Sequence, residues 1–371
     1  MKLTRLWYAV AACLSLTVSA QEEGDKPDKN STEQSSPWLF TPLVTSNPKL
    51  STTAGAMLGY MHTFDPKSAA SMFGLTGNYS STKSYTGVAF ANTFFDEDRQ
   101  RILSAFFTGE IKNDYDDFLG SGMPLKTTDS VSAFYFKWAY RVFDQWFLGG
   151  QFISTNYSIY SDEIIPGNSL DFTNYSVDAR NDTIRLAGFR SNGLGLTIEY
   201  DSRDRPRSAT QGHYFQADNT AYRESLGGVE NFDVYRLKYN YYLSHGESSV
   251  LAINIKGKYT DDAPVAAWAT VRTKGYTSGQ YLAPYSTAIQ IDERINFTDK
   301  WGMVAYASLT CLHGDNDEGS LSCSDSDNLY PSASVGGFYA VKPEAGVVIR
   351  MEMAFGKDDN KGFYMSLGHP F

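Results

Sequence analysis

The residues best able to do chemistry in this chain recur at every second position of aromatic segments. In Ala133 to Arg141 (AFYFKWAYR), Tyr135, Lys137, Ala139 and Arg141 alternate with Phe134, Phe136, Trp138 and Tyr140. An extended strand turns successive side chains to opposite faces, so the two sets separate cleanly. The same sorting puts Arg236, Lys238, Lys256, Lys258, Asp292, Arg294, Arg350 and Glu352 on one polar face of their segments. Bases outnumber acids there, and a face of that kind pairs ions and attracts anions. Glu293 falls on the opposite face beside Ile291 and Ile295, and is expected at a rim where a charge costs little.

Catalytic chemistry finds less support. The five histidines are His62, His213, His245, His313 and His369, and none belongs to a nucleophile elbow, a zinc spacing or a serine–histidine pair. No catalytic residue, cofactor or metal is assigned, and an enzyme is not expected. The stretch from His313 to Asp327 (HGDNDEGSLSCSDSD) gathers His313, Asp315, Asp317, Glu318, Asp325 and Asp327, yet its spacing departs from a calcium loop after Asp317. It reads as a solvated acidic loop. Cys311 precedes it and Cys323 lies within it, and in an oxidising compartment they are expected to form a disulfide.

Charges alternating with aromatics call for strands around a wet interior. The chain has 371 residues, 15% aromatics, 31 glycines and 25 tyrosines, with a mean hydropathy of -0.35. It contains no run of the roughly 18 apolar residues that a membrane helix needs. The net charge of -10 and the absence of a Lys/Arg cluster argue against nucleic acid. Residues 1–20 read as a signal peptide, with Lys2 and Arg5 before an apolar stretch and Val18-Ser19-Ala20 before a polar segment. Residues 21–37 are too polar to fold and are expected to be a flexible periplasmic tail.

From residue 38 to 371 the pattern predicts an all-β transmembrane antiparallel barrel of sixteen strands, running from 38–46 through 129–143, 190–203, 287–298 and 301–312 to 362–371. Tight turns such as Asp65-Pro66-Lys67, Asp96-Glu97-Asp98 and Thr298-Asp299-Lys300 alternate with long connections near 116–128, 162–189, 262–286 and 313–329. Short periplasmic turns opposed to long extracellular loops are the habit of an outer-membrane barrel. In Gly362 to Phe371, Phe363, Met365, Leu367, His369 and Phe371 are expected to face lipid, and Tyr364, Ser366, Gly368 and Pro370 to face inward.

Two stretches resemble the BamA/TamA superfamily, also called bacterial surface antigens. Tyr200 to Phe215 (YDSRDRPRSATQGHYF) is similar to its Tyr-Asp-x-Arg-Asp…Pro…Gly turn, and Arg272 to Tyr281 (RTKGYTSGQY) to the tip of its long sixth loop. Asp292 and Arg294 match an inward acid and base on the family's next strand, and Ser366-Leu367-Gly368…Phe371 its C-terminus. The resemblance implies that the loop folds into the lumen with Lys274, Gly275 and Tyr276 at its tip. Lys274 stands where the family has arginine, and Tyr306 to Thr310 lacks the usual aspartate before a glycine, so Lys274 is expected to seek Asp292 or Glu352 instead. Without the family's POTRA repeats, the chain resembles a single-domain member.

The resemblance implies a factor assisting insertion or passage of protein or lipid in the bacterial outer membrane. Lipids, lipopolysaccharide and a separate periplasmic protein would be its partners. A passive channel for small solutes and a lipid-acting enzyme are the alternatives.

Overall fold

The computed structural model describes residues 36–47, 51–115, 125–161, 176–178, 183–276, 279–316, 319–369 and 371. The expected signal peptide and all but the end of the expected tail lie outside the described residues. Sixteen antiparallel strands follow one another round a closed ring. They are β1 (Trp38–Asn47), β2 (Ser51–His62), β3 (Ser71–Ser80), β4 (Tyr85–Phe95), β5 (Gln100–Tyr115), β6 (Leu125–Phe143), β7 (Trp146–Ser161), β8 (Thr183–Asp201), β9 (Gly212–Tyr222), β10 (Phe232–His245), β11 (Ser249–Asp261), β12 (Tyr285–Asn296), β13 (Trp301–Asn316), β14 (Leu329–Lys342), β15 (Val347–Gly356) and β16 (Lys361–Leu367). Short pieces at Ser176–Asp178 and Gly319–Leu321 extend the sheet at the loop end.

The two-residue period holds along the wall. Phe134, Phe136, Trp138 and Tyr140 are exposed on the outer face, whereas Lys137 and Ala139 are buried inside. Beside the tight turns the outer face carries Trp38, Phe64, Phe143, Phe297 and Trp301. At the other end it carries Tyr79, Tyr85, Tyr235 and Tyr259, with Leu75, Leu148, Leu196 and Val335 between the two belts. Two aromatic girdles flanking an apolar band are the exterior of a membrane-spanning barrel. Glu293 lies on this face and meets His245 Nε2 at 2.8 Å, next to the β10–β11 turn.

The turns form where residues accept a left-handed backbone. Asp96, Glu97 and Asp98 all have φ near +60°, and Asp144 has +41°. Asp65 Oδ1 accepts from the amides of Lys67 and Ser68, and Asp65 Oδ2 from Glu97 N at 3.2 Å, so adjacent turns brace one another. The hydrogen bond from Ser68 Oγ to Asp65 holds that exposed carboxyl below its ordinary pKa.

Apart from the C-terminus, the strand ends differ from expectation by four residues or more in three places. β6 begins at Leu125 rather than 129, β8 at Thr183 rather than 190, and β13 runs to Asn316 rather than 312. At β6 and β13 the sheet continues through mostly polar residues (LKTT and HGDN), where alternation of hydrophobicity has nothing to mark. The larger correction is at the C-terminus. β16 stops at Leu367, because Gly368 takes φ +83° and turns the chain. His369 and Phe371 therefore do not face lipid. Phe371 packs on Ala209, Tyr242 and Ala252 inside the barrel, and the His369 ring stands edge-on to buried Phe338 at 5.3 Å.

β16 also closes the ring thinly. β1 is registered with β2 from Trp38–Tyr60 to Asn47–Ser51, and β15 with β16 from Ile349–Leu367 to Phe355–Lys361. Across the seam between β1 and β16, the described register is the single pair Ser46–Phe363.

Candidate functional site

Inward residues two apart on one strand point the same way, so β12 presents Asp292 with Arg294 and β15 presents Arg350 with Glu352. All four are almost wholly buried. Arg350 is the hub: Nη1 and Nη2 reach Asp292 Oδ1 at 3.0 Å and Oδ2 at 2.5 Å, while Nε and Nη2 reach Glu352 Oε2 at 2.6 Å and Oε1 at 2.8 Å. Arg294 Nε adds a bond to Asp292 Oδ1 at 2.8 Å, and Ser334 Oγ one to Glu352 Oε1 at 2.7 Å. Two planar forks between two carboxylates satisfy the lone pairs that burial would otherwise strand. The intervening wall makes room at Gly336, where a Cβ would lie 2.7 Å from Glu352 Cγ and 1.9 Å from Met351 O.

The connection from β11 to β12 enters this site from the loop end. It carries a short strand pair, Ala269–Thr270 with Leu282–Ala283, and buries Val271 and Tyr276 with Ala283, Leu312 and Tyr330. Tyr276 Oη donates to Pro331 O at 2.6 Å and accepts from Lys357 N at 2.7 Å. Gly275 takes φ +93° with a Cβ position 3.0 Å from Phe355 C, and its amide donates to Tyr364 Oη at 3.0 Å. Any larger residue would lift the tip off the wall. Lys274 then extends Nζ to Glu352 Oε2 at 2.5 Å and over the Tyr306 ring at 4.6 Å. Of the two acids expected for it, Glu352 receives it, while Asp292 is taken by the two arginines. Burial and then Arg350 push the Lys274 ammonium below its ordinary pKa, and the Glu352 carboxylate opposes them.

At the opposite end the turn 202–211 crosses the mouth. Arg203 is fixed on Asp201 (Nε to Oδ1 2.7 Å) and stacks 4.3 Å over Tyr214. Asp204 Oδ1 accepts from Thr210 N at 2.9 Å, shaping the tip. Arg207 Nη2 then donates to Ala70 O at 2.7 Å and Ser208 Oγ to Gly346 O at 2.6 Å, both on other turns. Arg294 joins this cover to the charged hub, donating to Ala209 O at 3.1 Å and Phe371 O at 2.9 Å. Arg350 Nη1 donates to His369 Nδ1 at 3.2 Å. A continuous polar chain thus runs from the loop tip through Glu352, Arg350, Asp292 and Arg294 to the turn and the C-terminal residues.

The other inward bases occupy the wall as the alternation set them. Lys137 meets Glu199 at 2.5 Å, Arg141 meets Asp98 at 2.5 Å, and Arg236 meets Asp218 at 3.0 Å. Lys258 donates to the carbonyls of Ala267 and Trp268. Lys238 and Lys256 also face inward. Cys311 and Cys323 are joined, with Cα atoms 5.7 Å apart. Sequence reasoning did not foresee Tyr364, Ser332 and Ser334 as contacts of the loop and hub; Ser332 Oγ donates to Lys274 O. Nor did it foresee Arg207, Ser208 and His369 in the cover. Gly368, a strand breaker three residues from the end, was the available signal for the last.

No family model matches the sequence, and no curated protein matches it. Solved structures do. BamA from Haemophilus ducreyi lacking POTRA domains 1-3 superposes with a TM-score of 0.53 at 9% identity, over 90% of this chain and 70% of that one. CdiB from Acinetobacter baumannii gives 0.57 at 10% identity, over 89% and 59%. CdiB from Escherichia coli gives 0.57 at 10% identity, over 90% and 62%. The chain spans about three fifths of the CdiB structures. Its barrel has the BamA-like fold that its motifs resemble.

Proposed function

We propose that the barrel works in the bacterial outer membrane as an assembly or translocation factor, helping protein or lipid into or across the bilayer at the seam between β16 and β1. The observation that carries this reading is the seam, where Ser46 opposite Phe363 is the one registered pair among the described residues. Unpaired backbone groups facing hydrocarbon cost several kcal/mol each, so a strand edge left this free is a place where another strand or a lipid can dock. The covered lumen supports the same reading, because loop tip and turn occupy the path a solute would take. Likeness in fold to BamA and CdiB adds support. Outer-membrane lipids and lipopolysaccharide would bathe the girdled face, and a separate periplasmic protein would deliver clients to the turn side.

The test is depletion in the native cell followed by an inventory of outer-membrane proteins and lipids, complemented with a seam-locked variant. Ser46→Cys with Phe363→Cys, in a Cys311→Ser, Cys323→Ser background, should fail to restore the inventory when oxidised and restore it when reduced. Full complementation by the oxidised barrel would sink the proposal, and loss of small-solute uptake alone would make it a passive channel.

A further inference from the structure

The lumen wall holds a group of cations that the carboxylates of the barrel do not neutralise. Arg203, Lys137 and Arg236 each have their own acid, in Asp201, Glu199 and Asp218. Lys238, Lys256 and Arg272, by contrast, have no carboxylate within ion-pair distance and donate no hydrogen bond among the described residues. The strand register makes their position worse. β10 and β11 set Lys238 directly opposite Lys256, and Arg236 directly opposite Lys258, on the same inward face. Like charges facing across an antiparallel pair repel.

Arg272 then arrives on the inserted loop. It lies close enough to act electrostatically on both Lys256 and Lys258. Arg272 is exposed rather than packed against a carboxylate, and Arg236 acts on it as a further like charge. Lys258, meanwhile, spends its protons on Ala267 O and Trp268 O at 2.7 and 3.0 Å, which holds the loop that delivers Arg272 against the wall. A folded chain that concentrates unpaired charge in an enclosed space lacks the counter-charge that would stabilise it.

We propose that Lys238, Lys256 and Arg272 form a binding site, inside the barrel, for a multiply charged phosphate group. Directly opposed residues on antiparallel strands have Cβ atoms about 5 Å apart, so two ammonium groups can reach one oxyanion from the same side. Arginine supplies the flat fork that takes two oxygens of a phosphate at once, and lysines act on it as point charges. Chloride or a single carboxylate would leave most of the excess charge in place. A phosphate monoester carries about 1.5 to 2 negative charges at neutral pH and three acceptor oxygens, which suits three donors. The group could belong to a soluble phosphate ester or to a lipid headgroup, and the two are separated below.

The full chain, purified in a maltoside detergent and chloride buffer, is titrated calorimetrically with inorganic pyrophosphate. Saturable binding is expected, weakening as salt rises. The double variant Lys238→Gln, Lys256→Gln should bind at least tenfold more weakly, and Arg272→Gln likewise, while Lys67→Gln on the exposed β2–β3 turn should bind as wild type. A second readout separates a site from a structural role: in anion-free buffer the double variant should melt no lower than wild type, since it loses repulsion, and pyrophosphate should raise the melting temperature of wild type alone. Phosphatidic acid is then added to the same micelles. Competition with pyrophosphate assigns the site to a lipid headgroup, and pyrophosphate binding without competition assigns it to a soluble ester. Absence of binding to wild type, equal binding by the double variant, or a double variant that melts lower without anion would each overturn the proposal.

Discussion

Replacing Lys274 by alanine tests the contact between loop and hub most directly. Lys274 is 17% exposed at its side chain and Glu352 1%, so the pair is sheltered. Removing one partner of a buried pair costs about 3 to 5 kcal/mol when the other is left bare. Glu352 is not left bare. It keeps both bonds from Arg350 and the hydroxyl of Ser334, so the loss should fall toward the value of an exposed pair, about 1 kcal/mol. About 1.4 kcal/mol is a tenfold change in an opening equilibrium. Hydrogen exchange of the Gly275 amide, which is bonded to Tyr364 Oη, reports loop opening, and Lys274→Ala should speed it by about tenfold or somewhat less. Arg350→Ala removes both forks of the hub at once, leaving Asp292 to Arg294 and Glu352 to Lys274 and Ser334, and should speed the same amide more than Lys274→Ala does. Equal exchange in wild type and Lys274→Ala would refute the reasoning, because the loop would then be held by Tyr276 and the disulfide-bearing wall alone.

Three further outcomes follow from the same geometry. His369 is held well below its ordinary pKa by burial first and then by Arg294 and Arg350, with Asp292 opposing and Lys274 adding; Phe338 is its other neighbour. A depressed histidine stabilises docking fully above about pH 6.5, and that stability falls by about 1.4 kcal/mol per pH unit below it, so exchange in the segment after Gly368 should rise on acidification in wild type but not in His369→Asn. Alkylation under denaturing, non-reducing conditions should label neither Cys311 nor Cys323, and labelling of both would remove the bond. In planar bilayers the wild-type barrel should conduct weakly, and a variant lacking the loop tip should conduct more and prefer anions; a cation-selective reversal potential would count against the inward placement of Lys137, Lys238 and Lys256.

The wall of the barrel was legible because its cause is local. A two-residue period separates Lys137 and Arg141 from Trp138 and Tyr140 whatever lies elsewhere in the chain. The pairings inside were only half legible. Lys274 could be assigned an acid of the right face, yet the choice of Glu352 over Asp292 depends on Arg350 and Arg294 having claimed Asp292 first, a competition among strands that periodicity does not see. The C-terminal residues misled for a related reason. His369 and Phe371 continue the parity of Phe363 and Met365, but a single left-handed glycine resets the direction of everything after it.

The turn 202–211 carries a consequence for how the molecule opens. It springs from β8 and β9, across the ring from the seam, and it is fastened by Arg207 to Ala70 before β3 and by Ser208 to Gly346 before β15. Those two anchor points lie on either side of β16 and β1. A sideways parting of those strands draws Ala70 and Gly346 apart, and the strap between them must let go of one. The seam and the mouth of the barrel are therefore ganged: parting β16 from β1 loosens the strap across the mouth, and releasing the strap frees the two turns that flank the seam.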